Sequence, residues 1–352
     1  MAELTEILGR EEMTKHLREA IVSEKDSNAY IFSGEPGTGK KTVAKIFAQT
    51  LLCEGIDKHM HKIGDAKQEL AYACGICPSC VSAMKGDHPD IIVIRREEGK
   101  TGISVDEIRE KLVEDVSVRP YKGNYKIYII EEAQELSIEA QSAMLKTLEE
   151  PPSYAVIMLL VTSPNMLLHT IRSRAEEIEV PVLSDDIVEK FLREAFEENE
   201  DITEDDIKFA VAFADGKIGR GMAALTSDLF KKIREDVLNV VLNIKNMSIP
   251  EMTACVRKAD LYKDGVELDY YFELMTLWFR DVLLFESTRD ANGIIYKDKI
   301  TDISKQAQTV TYEGLENITE AIQRAKQRIA ANVSFDITME LLFTTICENM
   351  QG

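Results

Sequence analysis

A glycine-rich segment near the start of the chain has residue types and spacing suited to binding phosphate groups. The stretch from Gly34 to Lys40 follows a predicted strand over residues 29–32 and precedes a predicted helix over residues 43–52. In such a loop, backbone N–H groups and a lysine surround the phosphates of a nucleotide at the N-terminus of a helix. The sequence therefore predicts a P-loop at this position.

The residue after the loop lysine departs from the P-loop pattern, which calls for serine or threonine there. In this chain that residue is Lys41, and the hydroxyl of Thr42 comes one position late. Because that hydroxyl normally holds Mg²⁺ against the phosphates, binding of ATP and Mg²⁺ is in doubt. The candidate nucleotide-binding residues of this degenerate loop are Gly34, Gly37, Gly39, Lys40 and Thr42.

Two acidic residues, Glu131 and Glu132, follow a predicted buried strand over residues 126–130. In P-loop ATPases an aspartate at such a strand end orders Mg²⁺, and a second residue orients the attacking water. The first acid here is a glutamate, which is one methylene longer. Acidic residues at a strand end are usually just solvated. Glu131 and Glu132 are candidate site residues only because a P-loop precedes them.

Four of the six cysteines are clustered in sequence. Cys74, Cys77 and Cys80 have two residues between successive thiols, and Cys53 precedes them at the end of the predicted P-loop helix. Thiolates at this spacing converge on one tetrahedral ion, and four sulfur ligands favour Zn²⁺. We expect a structural zinc site formed by these four residues.

Three alternatives to this zinc site stay open from the residues alone. An iron–sulfur cluster uses similar cysteine spacings, and the thiols could simply be buried and free. His59 or His61 could also replace Cys53 as a ligand, because both lie in the polar insertion between the cysteines. Cys53 is preferred because of its place at the end of the helix.

Strands and helices alternate through the first half of the chain. This alternation predicts a parallel sheet covered by helices on both faces. An amphipathic helix is also expected within residues 5–24. The five predicted strands are residues 29–32, 91–94, 126–130, 155–161 and 177–180.

Strand patterns disappear after Ser184, and the remaining chain has the periodicity of helices. We predict an α/β P-loop domain over residues 1–182, with the cysteine insertion at 53–80. A small helical lid domain is predicted over residues 183–235, and an all-α domain over residues 236–352. The last domain is apolar enough to be a self-contained bundle or an oligomerisation surface.

The net charge of −20 argues against binding DNA through a broad basic face, because phosphate binding needs clustered lysine and arginine. The sequence has no apolar run near the about 20 residues that span a bilayer. Its N-terminus lacks the features of a secretory signal. We expect a cytoplasmic protein without a membrane partner.

Together these motifs resemble the clamp-loader subunits of bacterial DNA polymerase III, which are AAA+ ATPases. The resemblance is strong over residues ~5–230 and weaker around Trp278–Asp281 and Asn332–Phe335. Its most specific part is the run Leu-Lys-Thr-Leu-Glu-Glu-Pro-Pro. The segments that carry it are Gly34–Lys40, Cys53 with the three clustered cysteines, Gly86–Asp90, Leu145–Pro152 and Thr170–Arg174.

The resemblance implies roles for two arginines. Arg174 would act in trans as an arginine finger on the ATP of a neighbouring subunit, and Arg220 would sense the nucleotide state. The family usually has Ser-Arg-Cys where this chain has Ser-Arg-Ala, ending at Ala175, but the arginine is kept. The competing interpretation of Arg174 is a surface residue paired with Glu176 or Glu177.

The family contains motor subunits with an intact P-loop and a stator subunit with a degraded one. Lys41, Glu131 and the chain length favour the stator. That resemblance implies an open ring of five related subunits, joined through C-terminal collar domains, which loads a sliding clamp onto primed DNA. The polymerase (nucleotidyltransferase) active site would lie on another chain, and this chain would lack polymerase and ATPase activity.

Other functions remain open from the sequence. An ATP-hydrolysing motor subunit would have to use Thr42 as the displaced hydroxyl. A chain that binds a nucleotide without hydrolysing it would be intermediate between a motor and a stator subunit. A stand-alone zinc-dependent binder of nucleic acid would fit the cysteines, but it fits neither the net charge nor the P-loop.

Overall fold

The structure is a computed structural model of the 352-residue chain. The predicted helix over residues 5–24 lies largely outside the described residues, His59 lies wholly outside them, and His61 is described only by its backbone. The described residues are 13–15, 17, 27–55, 61–62, 69–70, 73–97, 100, 102–197, 199, 201–263, 266–291 and 293–350.

The chain divides into two compact units. The first contains Met1–Ile187 and Gly216–Gly219, and the second contains Val188–Asp215 and Arg220–Gly352. The three-domain division with a separate lid stays a prediction.

The first unit is built on a five-stranded sheet that is parallel throughout. Its spatial order is β4-β5-β6-β1-β7, so the P-loop strand lies between the last two strands of the chain. A separate antiparallel pair, β2 and β3, lies in the cysteine insertion. The strands are β1 (Ala29–Ser33), β2 (His61–Lys62), β3 (Glu69–Leu70), β4 (Ile91–Ile94), β5 (Lys126–Ile130), β6 (Ala155–Val161) and β7 (Glu176–Glu179).

The central strands are apolar on both faces because helices cover both sides of the sheet. Alternate residues such as Ile31 and Tyr128 enter one core, while Phe32 and Ile129 enter the other. The predicted five-stranded parallel sheet is confirmed. Among the helices of this unit are α1 (Lys40–Leu51), α2 (Pro78–Lys85), α3 (Val105–Ile108, continued by a π-helix to Glu114 and a 3₁₀ turn to Ser117), α4 (Ile138–Ala143), α5 (Leu145–Glu149) and α6 (His169–Arg172).

The two short helices α4 and α5 follow one another directly, and Met144 between them has φ −84° and ψ −9°. Its side chain is fully buried in the core under the sheet. Ser137 accepts a hydrogen bond from the Ala140 N–H and so caps the start of α4.

The second unit is helical in every regular element that the structure describes there. Trp278 is fully buried, and its indole N–H donates to Gln306, whose amide donates to the Val241 carbonyl. Asp281 is also fully buried and accepts the N–H groups of residues 295 and 296. The helices that follow the sheet are α7 (Asp185–Ala195), α8 (Glu204–Ala214), α9 (Ile218–Thr226), α10 (Asp228–Asn243), α11 (Ile249–Asp260), α12 (Val266–Thr288), α13 (Ile300–Gln306), α14 (Tyr312–Ala330) and α15 (Phe335–Asn349).

Within the described part of the chain, none of the helices combines the length and the apolar character needed to cross a lipid bilayer.

Candidate nucleotide and metal sites

The glycine-rich loop lies at the carboxyl end of β1 and leads directly into α1. Gly34, Gly37 and Gly39 all have positive φ, at 152°, 84° and 89°. A Cβ on Gly34 would lie 2.5 Å from the carbonyl oxygen of Val180, so a larger residue could not occupy this position without moving the chain. The loop thus has the glycine-dependent backbone of a phosphate-binding nest.

The lysine of the loop points back at the loop itself. Lys40 Nζ donates to the carbonyl oxygens of Gly34 at 2.7 Å and Glu35 at 2.8 Å. Burial lowers the pKa of Lys40, although the nearby carboxylates of Glu132 and Glu35 act to raise it. Glu35 also pairs with Lys217, 2.8 Å away. The ammonium groups of Lys40 and Lys217 therefore both lie at Glu35 in the loop.

Lys41, which occupies the position of the missing hydroxyl, forms an ion pair with Glu131. Lys41 Nζ lies 2.7 Å from one carboxylate oxygen of Glu131 and 2.9 Å from the other. The pair spans the carboxyl edge of the sheet, because Glu131 follows β5 while α1 follows β1, with β6 between them. Thr42 is exposed, and Glu132 is exposed with a positive φ of 50°.

These residues do not fit the Mg²⁺ that an active P-loop ATPase requires. Mg²⁺ needs oxygen ligands in near-octahedral geometry, and the carboxylate that would provide one is already paired with an ammonium group. A divalent cation placed there would also be repelled by Lys41. The sequence-based doubt about Mg²⁺ thus acquires a structural cause.

The four clustered cysteines converge on one point. Their sulfur atoms all lie within 4.8 Å of one another, with Cys53 and Cys80 buried and Cys74 and Cys77 half-buried. A tetrahedral zinc with Zn–S bonds of about 2.3 Å would place its sulfurs about 3.8 Å apart. The donor set and its dimensions therefore fit one metal ion with four thiolate ligands.

The local chain explains how these thiols converge. Gly75, with φ 71°, allows the turn after Cys74, and Cys77 then caps the N-terminus of α2 with Pro78 in its first turn. The N–H groups of Cys74, Cys77 and Cys80 donate to the sulfurs of Cys53, Cys74 and Cys77 at 3.3, 3.3 and 3.4 Å, respectively. Such bonds stabilise thiolates, which are the form that binds metal.

Arg174 lies just after α6, on an exposed part of the first unit. Its guanidinium donates to the Thr170 carbonyl at 2.8 Å and to a carboxylate oxygen of Glu149 at 2.7 Å. The competing interpretation paired Arg174 with Glu176 or Glu177. The structure pairs it with Glu149 of the Leu145–Pro152 motif, and Glu177 pairs with Arg172 at 2.8 Å.

Arg220 lies in the second unit and is largely buried there. Its guanidinium pairs with Glu273 and stacks 4.6 Å above the ring of Phe213. These contacts give Arg220 a packing role within the helical unit. Its expected role as a nucleotide sensor stays a prediction.

Asp90, in the Gly86–Asp90 motif, is a site that sequence reasoning left without a role. Its carboxylate accepts the N–H groups of Tyr121, Lys122 and Gly123, and its side chain is 1% exposed. Burial acts to raise the pKa of Asp90, but these three donors outweigh it and the pKa is lowered. A carboxylate shortly before a predicted strand was the available signal, but its partners lie 31 to 33 residues later in the chain.

Comparison with known proteins gives two family matches. The family described as "DNA polymerase III, delta subunit" matches residues 9–184, and the one described as "DNA polymerase III, delta subunit, C terminal" matches residues 228–347. Together they cover the regions that contain the P-loop, the cysteines and most of the C-terminal helices.

Among curated proteins, the chain is 27% identical to the DNA polymerase III subunit tau of Bacillus subtilis, over 97% of this chain and 61% of that protein. It is 28% identical to the subunit delta' of Pseudomonas aeruginosa, over 76% of this chain and 75% of that protein. It is 30% identical to the subunit tau/gamma of Haemophilus influenzae, over 68% of this chain and 33% of that protein.

Among solved structures, a DNA polymerase III gamma subunit-related protein from Thermotoga maritima matches with 17% identity and a TM-score of 0.48, over 95% of this chain and 99% of that one.

Proposed function

The chain belongs to the DNA polymerase III delta subunit family, and from this premise we propose that it is a stator (delta prime) subunit of the clamp loader. In this role it assembles with gamma/tau and delta subunits in a hetero-pentameric ring that places the sliding clamp on primed DNA. The observation that carries the stator assignment is the ion pair of Lys41 with Glu131. It occupies the position at which a motor subunit would hold Mg²⁺.

The cysteine cluster supports a structural zinc ion as the second part of the proposal. Cys53 lies two residues after α1, while the other three cysteines lie at the far end of the insertion, so one ion would tie the insertion to the P-loop helix. Closed four-thiolate sites stabilise folds and leave no coordination position for a substrate. When bound, the zinc would cross-link these segments and take no part in a reaction.

Arg174 is the residue proposed to act on a neighbouring subunit. Its side chain is 34% exposed and is held by Glu149 and the Thr170 carbonyl, so the guanidinium has a defined position on the surface. The transition state of phosphoryl transfer spreads negative charge over the γ-phosphate oxygens, which a guanidinium matches well. Glu149 orients Arg174 until a phosphate of higher charge is presented to it.

The test is a reconstituted ring that carries Arg174→Ala. We expect the ring to assemble and its clamp- and DNA-stimulated ATP turnover to fall. An arginine finger supplied in trans is worth roughly 10³–10⁵ in rate at one site, and turnover by the remaining sites reduces the effect on the total. Single-turnover hydrolysis of ATP bound at the neighbouring site measures the loss of rate at that one site.

The matched control for this test is Arg172→Ala. This substitution removes an arginine from the same segment. Arg172 pairs with Glu177 and Asn165, and its loss should leave turnover close to wild type. Equal turnover in the Arg174→Ala and wild-type rings would contradict the trans-acting role. A ring that fails to include this chain at all would contradict the stator assignment.

A motor subunit is the second candidate function, because the similarity to the Bacillus subtilis tau protein extends over 97% of this chain. Steady-state ATP turnover by the isolated chain separates the two. Robust turnover that is lost in Lys40→Ala would favour the motor, while a rate equal to that of the variant supports the stator.

A further inference from the structure

The ammonium group of Lys41 lies where the P-loop pattern places a metal-binding hydroxyl. It immediately follows Lys40, in the first turn of α1, and reaches the strand-end acid Glu131 with contacts of 2.7 and 2.9 Å. In an active site these two positions together hold Mg²⁺ against the phosphates. The chain therefore has its own cation at this place.

The charges and burial suit a resident cation. The Glu131 side chain is 14% exposed, so its carboxylate needs a compensating positive charge, while Lys41 is 48% exposed and opens towards solvent. An ammonium has three N–H donors, and one of them bonds to a carboxylate oxygen of Glu131 at 2.9 Å. Another can face a phosphate oxygen bound in the adjacent loop.

The phosphate-binding backbone is kept despite the change at Lys41. Gly37 and Gly39 retain positive φ, and Lys40 lies at the same loop with its Nζ on two loop carbonyls. A ligand phosphate can replace those carbonyls as the acceptor of Lys40, because the same donors are used. Two neighbouring ammonium groups then face the phosphates instead of one ammonium and one metal ion.

We propose that this P-loop binds the phosphates of a nucleoside triphosphate without Mg²⁺, with the Lys41 ammonium, fixed by Glu131, in the place of the metal ion. The Lys41 ammonium binds a phosphate oxygen as a point charge. The inference uses the P-loop framework of the family, but it concerns the isolated chain and not its place in the ring.

The experiment measures ATP binding to the purified full-length chain by calorimetry, once in MgCl₂ and once in EDTA, at equal ionic strength. For wild type we expect binding in EDTA to be at least as tight as binding in MgCl₂. For Lys41→Thr, which restores a hydroxyl, we expect binding in EDTA to weaken by about tenfold or more and to recover when Mg²⁺ is added.

Two further variants separate a specific role from a change of overall charge. Lys45→Thr removes an exposed lysine one turn further along α1 and should bind ATP like wild type under both conditions. Lys41→Arg keeps the charge and should keep the independence from Mg²⁺. Circular dichroism and thermal unfolding of each variant show that the fold is intact.

Several results would overturn the inference. They are a failure of wild type to bind ATP under either condition, wild-type binding that requires Mg²⁺, and binding by Lys41→Thr that stays independent of Mg²⁺. Failure here leaves the proposed function intact, because ring assembly and clamp loading are measured separately. Failure of the ring to assemble would likewise not change the result of the ATP-binding measurement.

Discussion

The two ends of helix α1 carry the two candidate sites of the molecule. The sites differ in whether protein groups alone satisfy their charges. At the N-terminal end, Lys40 bonds to its own loop and Lys41 pairs with Glu131, so protein groups satisfy one another. At the C-terminal end, Cys53 joins three other thiols in a cluster with the dimensions of a metal site. One end is complete with side chains alone, and the other requires an ion.

This difference has an energetic consequence. Several thiolates close together repel one another, so a metal ion contributes directly to the free energy of folding. The lysine and carboxylate of the N-terminal end neutralise each other and need no ligand. We therefore expect changes at the cysteines to affect stability much more than changes at the ion pair.

The largest expected effect is that of Cys77→Ser. Serine is a good N-cap, so α2 keeps its cap while the zinc site loses one of its four ligands. We expect the metal content to fall from about one equivalent per chain to near zero, with a loss of stability on the order of several kcal/mol. Metal analysis and thermal unfolding measure these two quantities.

The control for this prediction is Cys347→Ser, which changes a half-buried cysteine outside the cluster. It should retain the full equivalent of zinc. A Cys77→Ser protein that also retains a full equivalent would show that Cys77 is not a ligand, and the contrast between the two ends of α1 would disappear.

An intermediate effect is expected for Asp90→Asn. Asp90 fixes the loop that contains Gly123, and a Cβ on Gly123 would lie 2.6 Å from Leu52 at the cysteine end of α1. The amide loses charge-assisted hydrogen bonds to three N–H groups, and we expect a loss of about 1–3 kcal/mol in the free energy of unfolding at neutral pH. Denaturant titration measures it.

The same pair of proteins has a defined pH dependence. The pKa of Asp90 is lowered in the folded state, so its contribution is present above the unfolded value of about 3.9 and is lost as the pH falls through the folded pKa. The stability difference between wild type and Asp90→Asn should be constant near neutrality and shrink in acid. A difference that grows in acid would contradict the role of the carboxylate.

The smallest effect is expected for Glu131→Gln, which breaks the ion pair at the other end of α1. Lys41 is 48% exposed and can be solvated once its partner is neutral, so the expected loss is at most about 1 kcal/mol. Glu132→Gln, at the adjacent exposed position, is the matched control. A loss from Glu131→Gln as large as that from Cys77→Ser would mean that both ends of α1 depend equally on their charged groups.

The sequence by itself determined the local features of the two sites. The P-loop, the cysteine cluster and the five parallel strands follow from residue spacing and hydrophobic patterns, which act over short stretches of chain. The caps at Ser104 and Ser137 are local in the same way, because each side chain accepts the N–H of the residue three positions later. Zinc as the bound ion and the role of Arg174 stay predictions.

The tertiary structure alone decided which distant side chains meet. Lys41 was visible as a departure from a motif, but its partner Glu131 lies 90 residues later. The two residues meet because β1 and β5 are parallel with only β6 between them, so both chains leave the sheet at the same edge. Arg174 likewise meets Glu149, which lies 25 residues earlier in the chain. Such pairs depend on the order of strands in the sheet. The hydrophobic periodicity of single strands and helices does not reveal that order.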